Sequence, residues 1–364
     1  MSTQLNSSPI TKTLIICASL VVIVAGMKAA SAILVPFLLA VFIAIIVTPI
    51  YFSLQRAGLN SAVSLLSMIT VVIVLGVLTV WIGQRSVRSF LANERAYQSQ
   101  YMVQTEQLQN WLEEWGMMEP DQSLGDLIDA RVVMGYFGRA AGTISGLLSQ
   151  GTLILIVVIF ILLEAAALPD KIRALPGLSD DAWNRMTQIV NDTRRYITLK
   201  TVTSALTGIL VWLMLVMLRV DSAEFLGLLA FVLNFVPTIG SIIAGIPGVL
   251  LAFILHGPVP ALIATVGYLA VNFGVSNGLE PRIMGRGLGL SPLVIIISMF
   301  FWGWVLGPIG MLLSVPLAMT GKIALESDEE TRWIALLMAS GSRVRAAQRR
   351  EQSREKRKLK RAGR

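Results

Sequence analysis

Residues 225–255 read FLGLLAFVLNFVPTIGSIIAGIPGVLLAFIL, an apolar run of more than thirty residues interrupted at Pro237-Thr238-Ile239-Gly240 and carrying a second proline, Pro247. One ordinary span needs only about 20 apolar residues, and the centre of this run is built from residue types that end helices. Proline removes a backbone donor and glycine loosens the helix, so the break frees polar backbone groups that hydrocarbon cannot satisfy. Residues 292–325, PLVIIISMFFWGWVLGPIGMLLSVPLAMTGKIAL, repeat the arrangement, with a break at Gly307-Pro308-Ile309-Gly310 and a later Pro316. The two runs read as an internal repeat, either re-entrant hairpins or kinked spans. Matched breaks in two halves of a membrane protein point to a transport site, because irregular backbone survives at membrane depth only where protein or a water-filled cavity covers it.

Working outward, six ordinary apolar runs occupy 13–30, 32–51, 61–83, 152–168, 204–218 and 261–274, giving about eight transmembrane segments in all. The composition agrees: 364 residues are 55% hydrophobic and 14% charged, against roughly 25% charged in soluble domains, with a mean hydropathy of +0.71. The fold class expected is an all-α polytopic membrane protein with a helical extracytoplasmic layer. The expected divisions are N-terminal spans at 1–83, an extracytoplasmic helical region at 84–150, a C-terminal transmembrane core at 151–325 and a basic tail at 326–364.

Charge sets the orientation. The net charge is +8, yet residues 341–364 alone carry +9, from eleven Lys or Arg against Glu351 and Glu355. The basic balance therefore belongs to the tail, and no nucleic-acid partner is expected for the body. Residues 84–150 hold five bases against eight acids, and 169–203 hold six bases in half that length. Positive loops stay inside, which puts the first loop outside, the second inside and both termini in the cytoplasm. Arg282 and Arg286 resist this scheme, since their short loop would lie outside. The first apolar run is followed by Lys28 and a second apolar run, so it reads as a retained anchor. In the outer loop Leu108, Trp111, Leu112 and Trp115, then Leu124, Leu127 and Ile128, recur at the spacing of an amphipathic helical pair. In the inner one, Ser179 followed by Asp180 and Asp181 reads as the capped start of an interfacial helix.

Several chemistries are excluded. A single histidine, His256, and a single cysteine, Cys17, build neither a metal site nor a nucleophilic triad; Cys17, in an apolar run, reads as a buried inert thiol. No phosphate-cradling loop is present, since Gly321-Lys322 is followed by Ile323, and Gly285, Gly287 and Gly289 have the wrong spacing for a dinucleotide fingerprint. No enzyme activity and no cofactor are expected.

The candidate site lies beside the breaks. Asn234 precedes Pro237 by three residues, and Asn272 and Asn277 end the intervening span; buried amides offer donor and acceptor together, to neighbouring helices or to a hydroxylated substrate. The substrate-binding candidates are Asn234, Pro237, Thr238, Gly240, Ser241, Asn272, Asn277, Gly307 and Pro308. Candidates for gating or coupling are Lys200, Glu280 and Arg282, the last two equally a gate ion pair or an exposed interfacial pair, and Glu164, a carboxylate near the inner end of a predicted span that either couples transport or simply reaches the interface.

The string from Leu279-Glu280-Pro281-Arg282-Ile283-Met284-Gly285 to Ser291-Pro292, with Phe301-Trp302-Gly303-Trp304 and Gly307-Pro308-Ile309-Gly310-Met311, resembles the autoinducer-2 exporter family of bacterial inner-membrane proteins. Residues 229–237 and 196–201 are similar to other marked regions of that family, and the resemblance fades after about residue 340. It implies an oligomeric inner-membrane secondary transporter exporting autoinducer-2 or a related polyol, with membrane lipids as its surroundings. Some relatives are assigned as sodium or lithium ion/proton antiporters, which gives the alternative reading; a scaffold without transport, using the basic tail, is another.

Overall fold

The computed structural model describes residues 9–114, 116, 135, 146, 149–165, 168–174, 180–237, 239–284, 290–326 and 331–340. Among these no strand occurs, and the protein is an all-α polytopic membrane protein. In chain order the helices are α1 Pro9–Ala29, α2 Ser31–Arg56, α3 Ser61–Ala92, α4 Glu94–Glu114, α5 Gly151–Ala165, α6 Leu168–Arg173, α7 Asp180–Met217, α8 Ala223–Leu233, α9 Ile239–His256, α10 Pro258–Phe273, α11 Glu280–Met284, α12 Pro292–Leu306, α13 Pro308–Glu326 and α14 Arg332–Met338. A π-helical turn, Gly274–Leu279, joins α10 to α11.

Among the described residues six helical stretches are long and apolar enough to cross a bilayer: Ser31–Arg56, Ser61–Ala92, Met186–Met217, Ile239–His256, Pro258–Leu279 and Pro308–Glu326. The expected eight runs do not map one to one onto these: 13–30 and 152–168 fall on the shorter apolar helices Leu14–Ala29 and Gly151–Ala165, and each broken run divides into a short arm and a long one. At 1.5 Å per residue, α8 extends about 16 Å and α12 about 22 Å, short of the roughly 30 Å hydrocarbon core, whereas α9 and α13 approach it. The expected interfacial helix and the span after it are one unbroken rod, α7, of 38 residues. Leu108, Trp111 and Leu112, expected in an extracytoplasmic pair, fall on α4, but its buried face is Tyr97, Tyr101 and Thr105. Trp115, Leu124, Leu127, Ile128, Ser179, the glycine cluster at 285–289 and the basic tail lie outside the described residues.

Three apolar clusters hold the bundle. One joins α4, the end of α7, α8, α9 and α10, around Tyr97, Leu215, Leu226 and Ile254. A second joins Phe42 of α2, Tyr196 and Ile197 of α7, Phe235 and Val236 at the first break, and Met299, Ile309 and Leu312 of the second broken segment. The third packs α2 against α3 and α5. Helix α1 stands largely uncovered, exposing Leu14, Ile16 and Val22, and Lys28 near its end sits over the Trp304 ring at 3.9 Å. Cys17 is accordingly exposed, not buried in protein as its apolar run suggested: a peripheral membrane helix is apolar because it meets lipid, so apolar flanks do not imply a protein core.

The second break is a tight antiparallel hairpin. Gly307 takes φ +70°, a conformation open to glycine, and Pro308 occupies the first turn of α13, where a missing N–H costs nothing. A Cβ on Gly310 would stand 2.0 Å from the Trp302 carbonyl oxygen, and Ser298 Oγ donates to the Ser314 carbonyl at 2.8 Å. The first break uses the same close approach, a Cβ on Gly240 lying 1.8 Å from the Leu233 carbonyl oxygen. Here the short arm α8 is also zipped to α7. A Cβ on Gly208 would meet the Gly227 carbonyl at 2.8 Å, and one on Gly227 would meet Trp212 Cβ at 2.6 Å. Small residues let two membrane helices bring their backbones together.

Candidate functional site

Helix α7 carries a buried polar stripe through an otherwise apolar bundle. Thr193, Tyr196, Lys200, Thr203, Ser204 and Thr207 are all buried, and steps of three or four from 193 to 196, 200, then 203 or 204, and 207 keep them along one face. Two of the threonines bond within their own helix, Thr203 Oγ1 donating to the Lys200 carbonyl at 3.1 Å and Thr207 Oγ1 to the Thr203 carbonyl at 3.0 Å, while the buried Thr193 hydroxyl has no partner among the described residues. Two members reach across to other elements.

Ser204 Oγ accepts from Asn234 Nδ2 at 3.0 Å, with both residues buried. Asn234 closes α8, so its amide sits where the chain leaves the short arm for the Pro237 turn. One helical turn earlier, Lys200 Nζ donates to Glu280 Oε1 at 2.6 Å, with the side chains 8% and 15% exposed. Glu280 follows the π-helical turn and precedes Pro281, whose ring nitrogen cannot donate to the preceding turn. Wider π registers recur at functional sites, and this one presents a carboxylate to α7. An ion pair this deep needs its partner, since an unpaired charge there would stay desolvated.

The structure thus changes the expected pairing of Glu280. Its partner is Lys200, not Arg282, which is exposed; adjacency in sequence put Glu280 and Arg282 close, but on a helix residues two apart point to different sides. Glu280 is also a carboxylate at the end of an apolar span, a role the sequence reading gave to Glu164 alone. Glu164 is exposed and pairs with Lys171, also exposed, as an interfacial pair does.

The remaining candidates separate into two places. Ser241 and Asn272 line a cavity of about 350 Å³ between α9 and α10, together with Thr265 and Tyr268. Asn234 is on the α7 side of the first break instead. Asn277 lies exposed on the π-helical turn, Pro237 is half-buried, and Gly240 is buried under Leu233. Gly307 and Pro308 form the turn of the second hairpin, and the neighbouring Ile309 belongs to the same apolar cluster as Phe235 and Val236 of the first break. Thr238 lies outside the described residues. No group of three or more His, Cys, Asp or Glu that could hold a metal ion occurs among the described residues.

Residues 17–328 match the AI-2E family transporter profile, a range that contains every residue of the site and stops short of the basic tail. The chain is 36% identical over 328 residues to the AI-2 transport protein TqsA of Escherichia coli (strain K12), covering 90% of this chain and 95% of that one. It is 33% identical over 339 residues, covering 92% and 97%, to a Haemophilus influenzae protein provisionally named as a transport protein. The protein YhhT of E. coli, also provisionally named as a transport protein, is 33% identical over 327 residues, covering 89% and 93%. The chain belongs to the AI-2E family of transporters.

Within this AI-2E family chain, sequence reasoning missed Ser204, Thr265 and Tyr268. For Ser204 a signal existed: Tyr196, Lys200, Thr203, Ser204 and Thr207 recur at helical spacing, and polar residues on one face of a membrane helix seek partners. For Thr265 and Tyr268 no such signal is visible, because each is a single weakly polar side chain in an apolar helix.

Proposed function

We propose that this AI-2E family transporter is a secondary exporter of autoinducer-2 in the bacterial inner membrane, working as a homo-oligomer with both termini in the cytoplasm. The observation that carries the substrate is the 36% identity, over 90% of the chain, to a protein named as an AI-2 transport protein. The polar groups beside the first break suit such a cargo. A neutral hydroxylated molecule is bound by amides, hydroxyls and backbone more than by charge, and Asn234, Ser204, Ser241, Thr265, Tyr268 and Asn272 supply these groups on α7 to α10.

In this reading α7 is the fixed rail and the first broken segment moves against it. The Asn234–Ser204 and Lys200–Glu280 contacts hold one end of the cycle. Substrate hydroxyls compete for Asn234, the short arm α8 shifts, and the glycine contacts between Gly208 and Gly227 allow sliding without large side chains in the way. Alternating access then follows from motion of broken elements against continuous ones.

The test is uptake of autoinducer-2 into everted membrane vesicles from cells expressing the protein, with and without an imposed proton gradient. Saturable accumulation above vesicles lacking the protein is expected. A second reading, sodium or lithium ion exchange for protons, is favoured by one observation, the buried Lys200–Glu280 pair, whose carboxylate could trade its lysine for a cation or proton. Sodium-driven proton flux with no response to autoinducer-2 would replace the first reading by the second.

A further inference from the structure

The cavity between α9 and α10 contains a polar group that the fold leaves unused. Tyr268 is 8% exposed, and its hydroxyl is buried with no hydrogen-bond partner among the described residues. The ring lies along two glycines of α9. A Cβ on Gly245 would meet Tyr268 Cδ1 at 3.5 Å, and one on Gly248 would come within 2.4 Å of the hydroxyl oxygen. The position therefore needs glycine at 248 for the phenol to sit where it does, in a membrane helix where an unsatisfied hydroxyl is costly.

The rest of the wall narrows what could satisfy it. Ile242, Ile246, Val249, Leu250 and Leu269 make most of the lining, and Ile242 and Leu269 are also exposed on the flank of the bundle, so the cavity lies open towards the side. No charged residue lines it. Thr265 Oγ1 donates to the Ala261 carbonyl and keeps acceptor capacity, while Asn272 Oδ1 accepts from Ser276 at 3.2 Å; the Asn272 amide N–H groups donate to nothing among the described residues. A volume of about 350 Å³ falls at the lower end of small-molecule sites, which combine apolar walls with a few convergent polar groups. A water molecule would need two to four polar partners, and the wall around the phenol is mostly aliphatic.

We infer that the α9–α10 cavity is a side-opening binding site for a small uncharged molecule bearing hydroxyl or carbonyl groups, with the Tyr268 hydroxyl donating to it and the Asn272 amide as a second contact. A cation has no counter-charge here, which separates this site from the Lys200–Glu280 pair. That the molecule is the transported substrate rests on the export reading above; that the cavity binds a neutral hydroxylated ligand does not.

The experiment is calorimetric titration of the purified full chain in lipid nanodiscs with autoinducer-2, with a panel of uncharged diols and pentitols, and with sodium chloride as the charged control. It compares wild type, Tyr268→Phe, which removes one oxygen and keeps the ring, and Thr265→Phe, which fills the cavity. Circular dichroism and thermal melting confirm that each variant is folded. Binding of a neutral ligand, weakened five- to tenfold by Tyr268→Phe and abolished by Thr265→Phe, is expected. Neutral ligands that bind wild type and both variants alike would overturn the inference, as would no binding by any member of the panel; if vesicle uptake of autoinducer-2 persisted in that case, the export reading would stand alone. Pentitol binding sensitive to Tyr268, without autoinducer-2 binding or uptake, would keep the cavity site and remove the export reading.

Discussion

At the first break Gly240 lies against the Leu233 carbonyl, and Asn234, which closes the short arm, donates to Ser204 on α7. At the second break Gly310 lies against the Trp302 carbonyl, and the buried hydroxyl bond, Ser298 to the Ser314 carbonyl, stays inside the hairpin. The backbone device is shared and the surroundings are not. One short arm is tied to a neighbouring span by side-chain polar groups, while the other is tied to its own long arm and to the bundle by Met299, Ile309, Leu312 and Val315. An internal repeat in a transporter need not divide the work equally: here the side-chain polar ties to a neighbouring span gather on one copy, while the buried Lys322 of the other pairs within its own long arm.

The largest effect expected falls on what the copies share. Gly240→Ala and Gly310→Ala each place a methyl within 2.0 Å of a carbonyl oxygen of the preceding helix, where neither partner is a flexible side chain. Overpacking typically costs about 1–3 kcal/mol and more where backbone must move, so both variants should lose most folded protein in size-exclusion profiles. Gly76→Ala, with nothing within 4 Å, should behave as wild type. Near-normal yield for only one of the two break variants would mean that the repeat is not a structural one.

Next comes the Lys200–Glu280 ion pair, which ties α7 to the start of α11 beside the first copy, whereas the buried Lys322 of the second copy pairs within its own helix, with Glu326 at 4.0 Å. Lys200→Met or Glu280→Gln leaves the other group buried, at an expected cost of about 3–5 kcal/mol, read as a drop in melting temperature. Replacing both by apolar residues should recover much of that stability, because an ion pair removed whole takes its desolvation cost with it, yet leave vesicle uptake impaired. Wild-type uptake in a folded double variant would reduce the pair to a structural tie.

A smaller effect sharpens the contrast directly. Asn234→Ala and Ser298→Ala each remove one buried hydrogen bond, worth on the order of 1 kcal/mol between membrane helices. Their stabilities should therefore fall by similar amounts while uptake falls only for Asn234→Ala. A double-mutant cycle with Ser204→Ala should show Asn234 and Ser204 strongly coupled. Equal loss of uptake in both single variants would place polar function on both copies.

The membrane architecture and the two breaks could be read from the chain because apolar runs and Pro-Gly interruptions are local signals. Asn234, Lys200 and Glu280 could also be singled out as polar groups that a bilayer does not tolerate idle, and each makes a polar contact to another element. Partner choice could not. Glu280 stands next to Arg282 in sequence but pairs with Lys200, 80 positions away, because the π-helical turn and the antiparallel course of α7 decide which side it faces. The α9–α10 cavity was invisible for a related reason: Gly245, Gly248 and Tyr268 acquire meaning only once two helices are packed. Cys17 shows the converse limit, where the same apolar pattern serves a lipid-facing helix and a buried one.

The smallest effect tests whether the first copy is also held at the turn that leads into it. Asp221 lies in the turn between α7 and α8, flanked by Arg219 and Ser222 at φ +54° and +56°, conformations that non-glycine residues adopt at a cost. Tyr97 of α4 donates to Asp221 Oδ2 at 2.9 Å, and the Arg219 carbonyl lies 3.0 Å from His256 Nε2. Burial, and then the Asp221 carboxylate, push the Tyr97 phenol up from 10.0 to about 12. Because the folded value lies above the unfolded one, the folded chain keeps a proton that the unfolded chain has lost between those values, and stability falls with rising pH there. The contribution is whole below pH 10 and gone once pH passes about 12. Tyr97→Phe should cost about 1 kcal/mol at neutral pH and should flatten the part of the alkaline decline in melting temperature that lies between these limits. At the start of the second hairpin the tie is backbone instead, the Ser291 N–H donating to the Met338 carbonyl at 2.9 Å, so an unchanged alkaline profile in the Phe variant would erase this last asymmetry between the two copies.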